Sequence, residues 1–194
     1  KAPVFQALSA DGGTLAVGAD SYASGGVSIA GTVFIFSRTN GVWASTEVAR
    51  LQASTPLPSA GFGRCLAISS SGDTLLIGSP TDSSSGSTGS FHGSAYFFTR
   101  SGGVWTQQQK ILPPTIIASG VFGLQVALSY DGLTAAVAWR GATVGGVSCG
   151  VVRVYVFSAG TWSLEQSVEL PVIDQLSGLG FGTAVALSGD GNTL

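Results

Sequence analysis

A motif that returns about every sixty residues constrains this chain more than any other feature. Ala7-Leu8-Ser9, Ala67-Ile68-Ser69, Ala127-Leu128-Ser129 and Ala186-Leu187-Ser188 stand at intervals of 60, 60 and 59 residues. Thr14-Leu15, Thr74-Leu75, Thr134-Ala135 and Thr193-Leu194 keep that spacing downstream, and Phe62-Gly63, Phe122-Gly123 and Phe181-Gly182 keep it upstream. A period of this size marks an array of supersecondary units, each unable to bury its apolar faces alone. The units run 1–60, 61–120 and 121–179, with 180–194 opening a fourth; the first is degenerate, with Ala2-Pro3 where Phe-Gly is expected.

Each unit reads as four short strands. The Ala-Leu-Ser segment is the first, and Thr14 to Gly18, Thr74 to Gly78 and Thr134 to Ala138 are the second. Between them stand Asp11-Gly12, Gly72-Asp73, Asp131-Gly132 and Asp190-Gly191, residues that tolerate positive φ and close tight hairpins. The third strand is the most apolar: Val33-Phe34-Ile35-Phe36, Ala95-Tyr96-Phe97-Phe98 and Val154-Tyr155-Val156-Phe157. Such continuous runs suit a strand covered on both faces. Asn40-Gly41, Gly102-Gly103 and Gly160 then turn into a fourth strand that begins at Trp43, Trp105 and Trp162, which are read as structural. The expected fold is therefore all-β, a β-propeller type of tandem four-stranded antiparallel blades, about three blades plus the first strand of a fourth. Rings of this kind need about four to eight blades. A chain ending at Leu194 would expose an unpaired strand and an apolar blade face, so it is expected to be part of a longer polypeptide or to be completed by other copies.

Only 9% of the 194 residues are charged, against a usual share of about 25%, so solubility must come from Ser, Thr, Gly and backbone groups. With a net charge of −2 and basic residues scattered as singletons such as Arg38, Arg64 and Lys110, no footprint for a nucleic-acid backbone exists. No apolar run is long enough to insert into a membrane. Cys65 and Cys149 lack metal-site or redox spacing; Cys65 reads as a small buried side chain, and whether the two pair is left open by their spacing.

The repeated Phe62-Gly63 through Ile77-Gly78-Ser79-Pro80, Phe122-Gly123 through Val137-Ala138, and Phe181-Gly182 through Leu194 resemble the FG-GAP repeat family, whose units build the integrin α-subunit propeller. The resemblance implies a propeller fold, and calcium held in an acidic loop between the first two strands. Here the loops Ser9-Ala10-Asp11-Gly12-Gly13 and Ser188-Gly189-Asp190-Gly191-Asn192 offer one carboxylate each, whereas calcium needs six to eight oxygens. Asp11, Asp131 and Asp190 are read as turn formers, and neither a metal nor another cofactor is expected.

Catalytic settings are missing from the motifs. The sole histidine, His92, has no nucleophile elbow near it and reads as a surface loop residue. Glu47, Glu165 and Glu169 read as solvated edge charges, and the Gly-rich stretches, including Gly86 to Gly89 and Gly145-Gly146, as loops. The long variable loops Asp20 to Gly31, Thr81 to Gly93 and Arg140 to Gly150 emerge on one face with the connections between units. That face is where recognition is expected, as it is in the integrin relatives, with Tyr22, His92, Trp139 and Arg140 as candidate contacts; Trp139 is weighed as an exposed anchor against core packing. Thr81 to Thr88 could carry O-linked sugar. On this reading the chain is a non-catalytic extracellular or cell-surface scaffold for adhesion, its partners other protein chains or the rest of a parent polypeptide. The alternative is a glycan-binding lectin.

Overall fold

A computed structural model describes residues 5–83 and 91–194. The degenerate start at Ala2-Pro3, the glycines from Gly86 to Gly89, and most of the Thr81 to Thr88 stretch lie outside the described residues.

Three antiparallel sheets follow one another along the chain. The first contains β1 (Phe5–Leu8), β2 (Thr14–Ala19), β3 (Thr32–Thr39), β4 (Val42–Trp43) and β5 (Ala49–Leu51), the last two sharing β3 as partner. The second is the meander β6 (Cys65–Ile68), β7 (Thr74–Ser79), β8 (Ser94–Ser101) and β9 (Val104–Ile111). The third joins β10 (Phe122–Leu128) and β11 (Thr134–Trp139) to β14 (Val151–Ser158) and β15 (Thr161–Val168), with a small hairpin of β12 (Thr143–Val144) and β13 (Val147–Ser148) in the loop between β11 and β14. These are propeller-type blades. Blade 1 departs from the plan where its outer strand breaks into two short pieces, while β9 runs unbroken.

The cores lie between blades, as strands with no polar face require. Alternate residues of β7 point opposite ways: Leu75 and Ile77 join Val33, Ile35, Phe62 and Tyr96 between blades 1 and 2. Leu76 instead joins Phe97, Phe122, Val137 and Trp162 between blades 2 and 3. All three β7 residues have no exposed surface. At the outer edge Gln109 ties blades 2 and 3 together, its Oε1 accepting from Trp162 N at 2.8 Å while its Nε2 donates to Trp162 O at 2.9 Å.

The Phe-Gly lead-in works by close backbone approach. Phe122 N donates to His92 O at 2.9 Å in a short parallel bridge with Gly93, whose φ is +82°. A Cβ on Gly93 would stand 2.0 Å from Phe122 O, so only glycine fits there.

The hairpin turns opposite are built by serine and aspartate. Ser9 Oγ donates to Asp11 Oδ1 at 2.5 Å and accepts from Thr14 N at 2.9 Å, and Gly13 N donates to the same carboxylate oxygen at 2.8 Å. Ser129-Asp131 and Ser188-Asp190 repeat the arrangement. These bonds hold Asp11 and Asp190 below the ordinary carboxylate range, the serine hydroxyl contributing most. The donor set does not suit calcium: each turn has one carboxylate, and one of its oxygens already accepts two hydrogen bonds.

Residues 180–194 keep this turn, with Ser188 N donating to Thr193 O at 2.8 Å, but form no ladder. In the register of the other hairpins, Leu187 stands opposite Leu194. Val185 and Leu187 still lie against Ala127, Ala136 and Val152 of blade 3.

Candidate functional site

The long loops and the connections between blades meet at one end of the molecule. Ser59 N donates to Ser28 O at 3.4 Å, Thr81 Oγ1 to Ser59 O at 2.6 Å, and Gly178 N to Ser148 O at 2.9 Å. What closes this end differs from blade to blade at positions in identical register. Val17-Phe34-Arg50, Ile77-Tyr96-Lys110 and Val137-Arg153-Ser167 are the same cross-strand row in the three blades.

In blade 2 the row carries a buried charge network. Asp82 has no exposed surface, and its Oδ2 accepts from Ser94 Oγ at 2.5 Å, Tyr96 Oη at 2.7 Å and Lys110 Nζ at 2.9 Å. Its Oδ1 is buried without a hydrogen-bond partner. Burial, reinforced by the adjacent carboxylate, raises the Tyr96 phenol well above its ordinary value, so it donates and does not ionise. Blade 1 closes with rings instead: Tyr22 meets Phe34 edge-on at 5.3 Å, and Arg50 lies over both. In blade 3 the place of Asp82 is taken by Ala142, 1% exposed, and that of Tyr96 by Arg153, stacked 5.5 Å from the Trp139 ring. Trp139 Nε1 and Arg153 Nε are buried without hydrogen-bond partners. Burial pushes the nearby Tyr155 phenol up to about 12, with Arg153 acting against the shift.

A second locus lies at the blade boundary. Asp20, beyond β2, accepts from Arg64 Nη1 at 2.9 Å, and Arg64 also lies over the Phe5 ring. The register equivalent of Asp20 in blade 3 is Arg140, an exposed side chain. Arg140 projects into a cleft of about 400 Å³ whose wall includes Ser119, Gly141, Ser148, Gly178 and Gly180. Two successive connections thus flank one loop, with a single cation between them.

The four candidate contacts are not brought together. Tyr22 is 45% exposed on blade 1, and Arg140 lies in the cleft of blade 3. His92 is 4% exposed, with Nδ1 3.3 Å from Ile117 O, which corrects its reading as a surface residue; the strand-like Gly93–Phe122 bridge draws it inward. Trp139 is 5% exposed and edge-on to Phe122, so its role is core and not anchor. The periodic tryptophans also diverge: Trp162 stacks on Phe97 at 3.9 Å, Trp105 lies under Arg100, and Trp43 is 38% exposed on the broken edge of blade 1. Cys65 and Cys149 are both buried free thiols, Cys65 donating to Gly123 O at 3.1 Å. Sequence reasoning missed Asp82, Lys110, Asp20 and Arg64; aligning the units position by position would have set each charge in its register row.

Residues 45–98 match the FG-GAP repeat family. No curated protein matches the sequence. Among solved structures, the fold resembles that of a Bacteroides uniformis protein provisionally assigned as a 6-phosphogluconolactonase, with 16% identity and a TM-score of 0.58 over 96% of this chain and 44% of that one. A Bacteroides fragilis protein with the same provisional assignment is similar, at 15% identity and a TM-score of 0.58 over the same shares. The chain therefore spans less than half the length of either. These findings correct the expectation of a non-catalytic scaffold or lectin. Blades of this construction occur in proteins provisionally assigned as 6-phosphogluconolactonases, so the lack of a linear catalytic motif does not exclude an enzyme. At such identity the likeness carries the fold. The chain is a propeller-type array of blades whose segment at residues 45–98 is an FG-GAP repeat.

Proposed function

We propose that this chain belongs to a propeller hydrolase that opens a small sugar lactone on the face where the long loops converge. The observation that supports it is the cleft at Arg140, set on that face of a fold otherwise found in proteins provisionally assigned as 6-phosphogluconolactonases. In lactone hydrolysis a water oxygen adds to the carbonyl carbon, the ring C–O bond breaks, and a proton passes to the departing ring oxygen, leaving a hydroxy acid. Negative charge develops on the carbonyl oxygen and persists on the product, so a positioned cation favours both. Arg140, with the hydroxyls of Ser119 and Ser148, suits holding such a substrate. Low charge and Ser-rich loops suit a secreted location.

The test is hydrolysis of glucono-δ-lactone and its 6-phosphate, followed by acid release against the spontaneous rate. Turnover above background that declines in Arg140→Gln, in kcat as well as in kcat/KM, is expected. Rates equal to background with both lactones reject the reading.

A further inference from the structure

We propose that the cleft around Arg140 binds a small external oxyanion, the carboxylate or phosphate group of a monosaccharide-sized ligand. The repeat contains its own reference for this place. In blade 1 the equivalent position holds Asp20, and the locus is closed internally because Arg64, from the following connection, reaches its carboxylate at 2.9 Å. Arg64 opens a turn in which its N donates to Gly61 O at 3.2 Å. The matching turn after blade 3 has Thr183 N donating to Gly180 O at 3.0 Å. So Arg140 stands where Asp20 does, and Thr183 where Arg64 does. The two converge: a Cβ placed on Gly180 would lie 3.1 Å from Thr183 Oγ1 and 3.5 Å from Arg140 Nε.

The consequence is electrostatic. Blade 1 places an anion and a cation at this locus, whereas blade 3 keeps the cation, moved onto the loop, and has a hydroxyl where the partner charge would be. Blade 2 has Pro80 in the loop position and closes it with Thr81 Oγ1 on Ser59 O. Among the described residues Arg140 makes no ion pair. An exposed guanidinium fork in a cleft is matched by a two-oxygen anion, with the Ser119 and Ser148 hydroxyls able to complete the shell, while the Thr183 hydroxyl donates to Gly180 O at its edge. Behind the wall, Trp139 Nε1 faces Gly120, a buried donor with no partner. A volume of about 400 Å³ admits one sugar-sized molecule.

The inference stands on the cleft and not on turnover, so binding without hydrolysis would reject the lactone reading and keep the site. Isotope-labelled protein is titrated with gluconate, glucose 6-phosphate and neutral glucose while amide shifts are followed. Saturable shifts at residues 119–121, 140–141 and 178–183 with either anion and not with glucose support the site, and the anion that saturates first names the group it prefers. Arg140→Gln is expected to weaken binding by about tenfold or more. The double variant Arg140→Asp with Thr183→Arg rebuilds the blade 1 pair, and is expected to keep the spectrum elsewhere while losing anion binding. Equal binding of glucose, shifts unchanged by Arg140→Gln, or no saturable response to either anion would overturn the proposal.

Discussion

Blades 2 and 3 share one backbone plan and close their loop ends by opposite chemistry. Blade 2 buries Asp82 against Lys110, Tyr96 and Ser94, whereas blade 3 fills the same row with Ala142, Ser167, Arg153 and Val151 and leaves an open cleft beside it. The blade therefore does not depend on any one plug. Its stability comes from apolar contact with its neighbours, and the loop end is free to diverge. A buried charge pair holds its loop in one geometry, yet adds little net stability over an apolar replacement, because desolvation offsets most of the Coulomb attraction.

That contrast can be broken most forcefully at Asp82. Asp82→Ala alone strands Lys110 and Tyr96, and is expected to cost about 3–5 kcal/mol in denaturant unfolding. Adding Ser94→Val and Lys110→Ser, which copies two further blade 3 residues, should restore much of the loss; no restoration would mean that blade 2 depends on its charges. Next comes the lead-in phenylalanine. Phe122→Ala, at a fully buried site between two complete blades, is expected to cost about 3–5 kcal/mol. Phe181→Ala, at a half-covered site, should cost about a third of that, and equal losses would show that residues 180–194 are as firmly seated as β10.

Smaller effects distinguish the two charge loci. Arg64→Gln should cost up to about 1 kcal/mol through its partly exposed pair with Asp20. Arg140→Gln should change stability by less than about 0.5 kcal/mol, because it removes no internal partner.

The pH dependence sharpens the comparison last. Burial pushes the Cys65 thiol up to about 12, so an unfolded chain releases that proton first. Stability should fall as pH rises from about 9 towards 12, by at most about 1.4 kcal/mol per pH unit for this group. Cys65→Ala should flatten that slope. The turn carboxylates Asp11 and Asp190 act in the other direction: depressed below the ordinary value, they support their turns above about pH 4, and the support fades only as pH falls through their lowered range.

How much of this was legible in the sequence differed by level. The hairpins after Ser9, Ser69 and Ser129 were readable because Asp-Gly chemistry is local, and β8 and β14 because a continuous apolar run admits no solvent face. The turn role of Asp11, Asp131 and Asp190 was equally local, since each aspartate bonds its own neighbours. His92 and Trp139 were harder: each lies at a strand end that meets the lead-in Phe122, 30 residues on from His92 and 17 back from Trp139, a contact that no local pattern announces. The break in blade 1's outer strand also escaped, because Trp43 repeats on schedule while the residues after it do not hold the ladder.

By itself the sequence determined the period, the strand order within each blade and the place of the turns, since all three follow from contacts among residues close along the chain. Only the tertiary structure decided which charges meet, which loop seals and which one opens. Those outcomes hang on side chains from separate strands arriving at one register row, or from a loop and the following connection arriving at one blade boundary, distances that no local pattern of residues records.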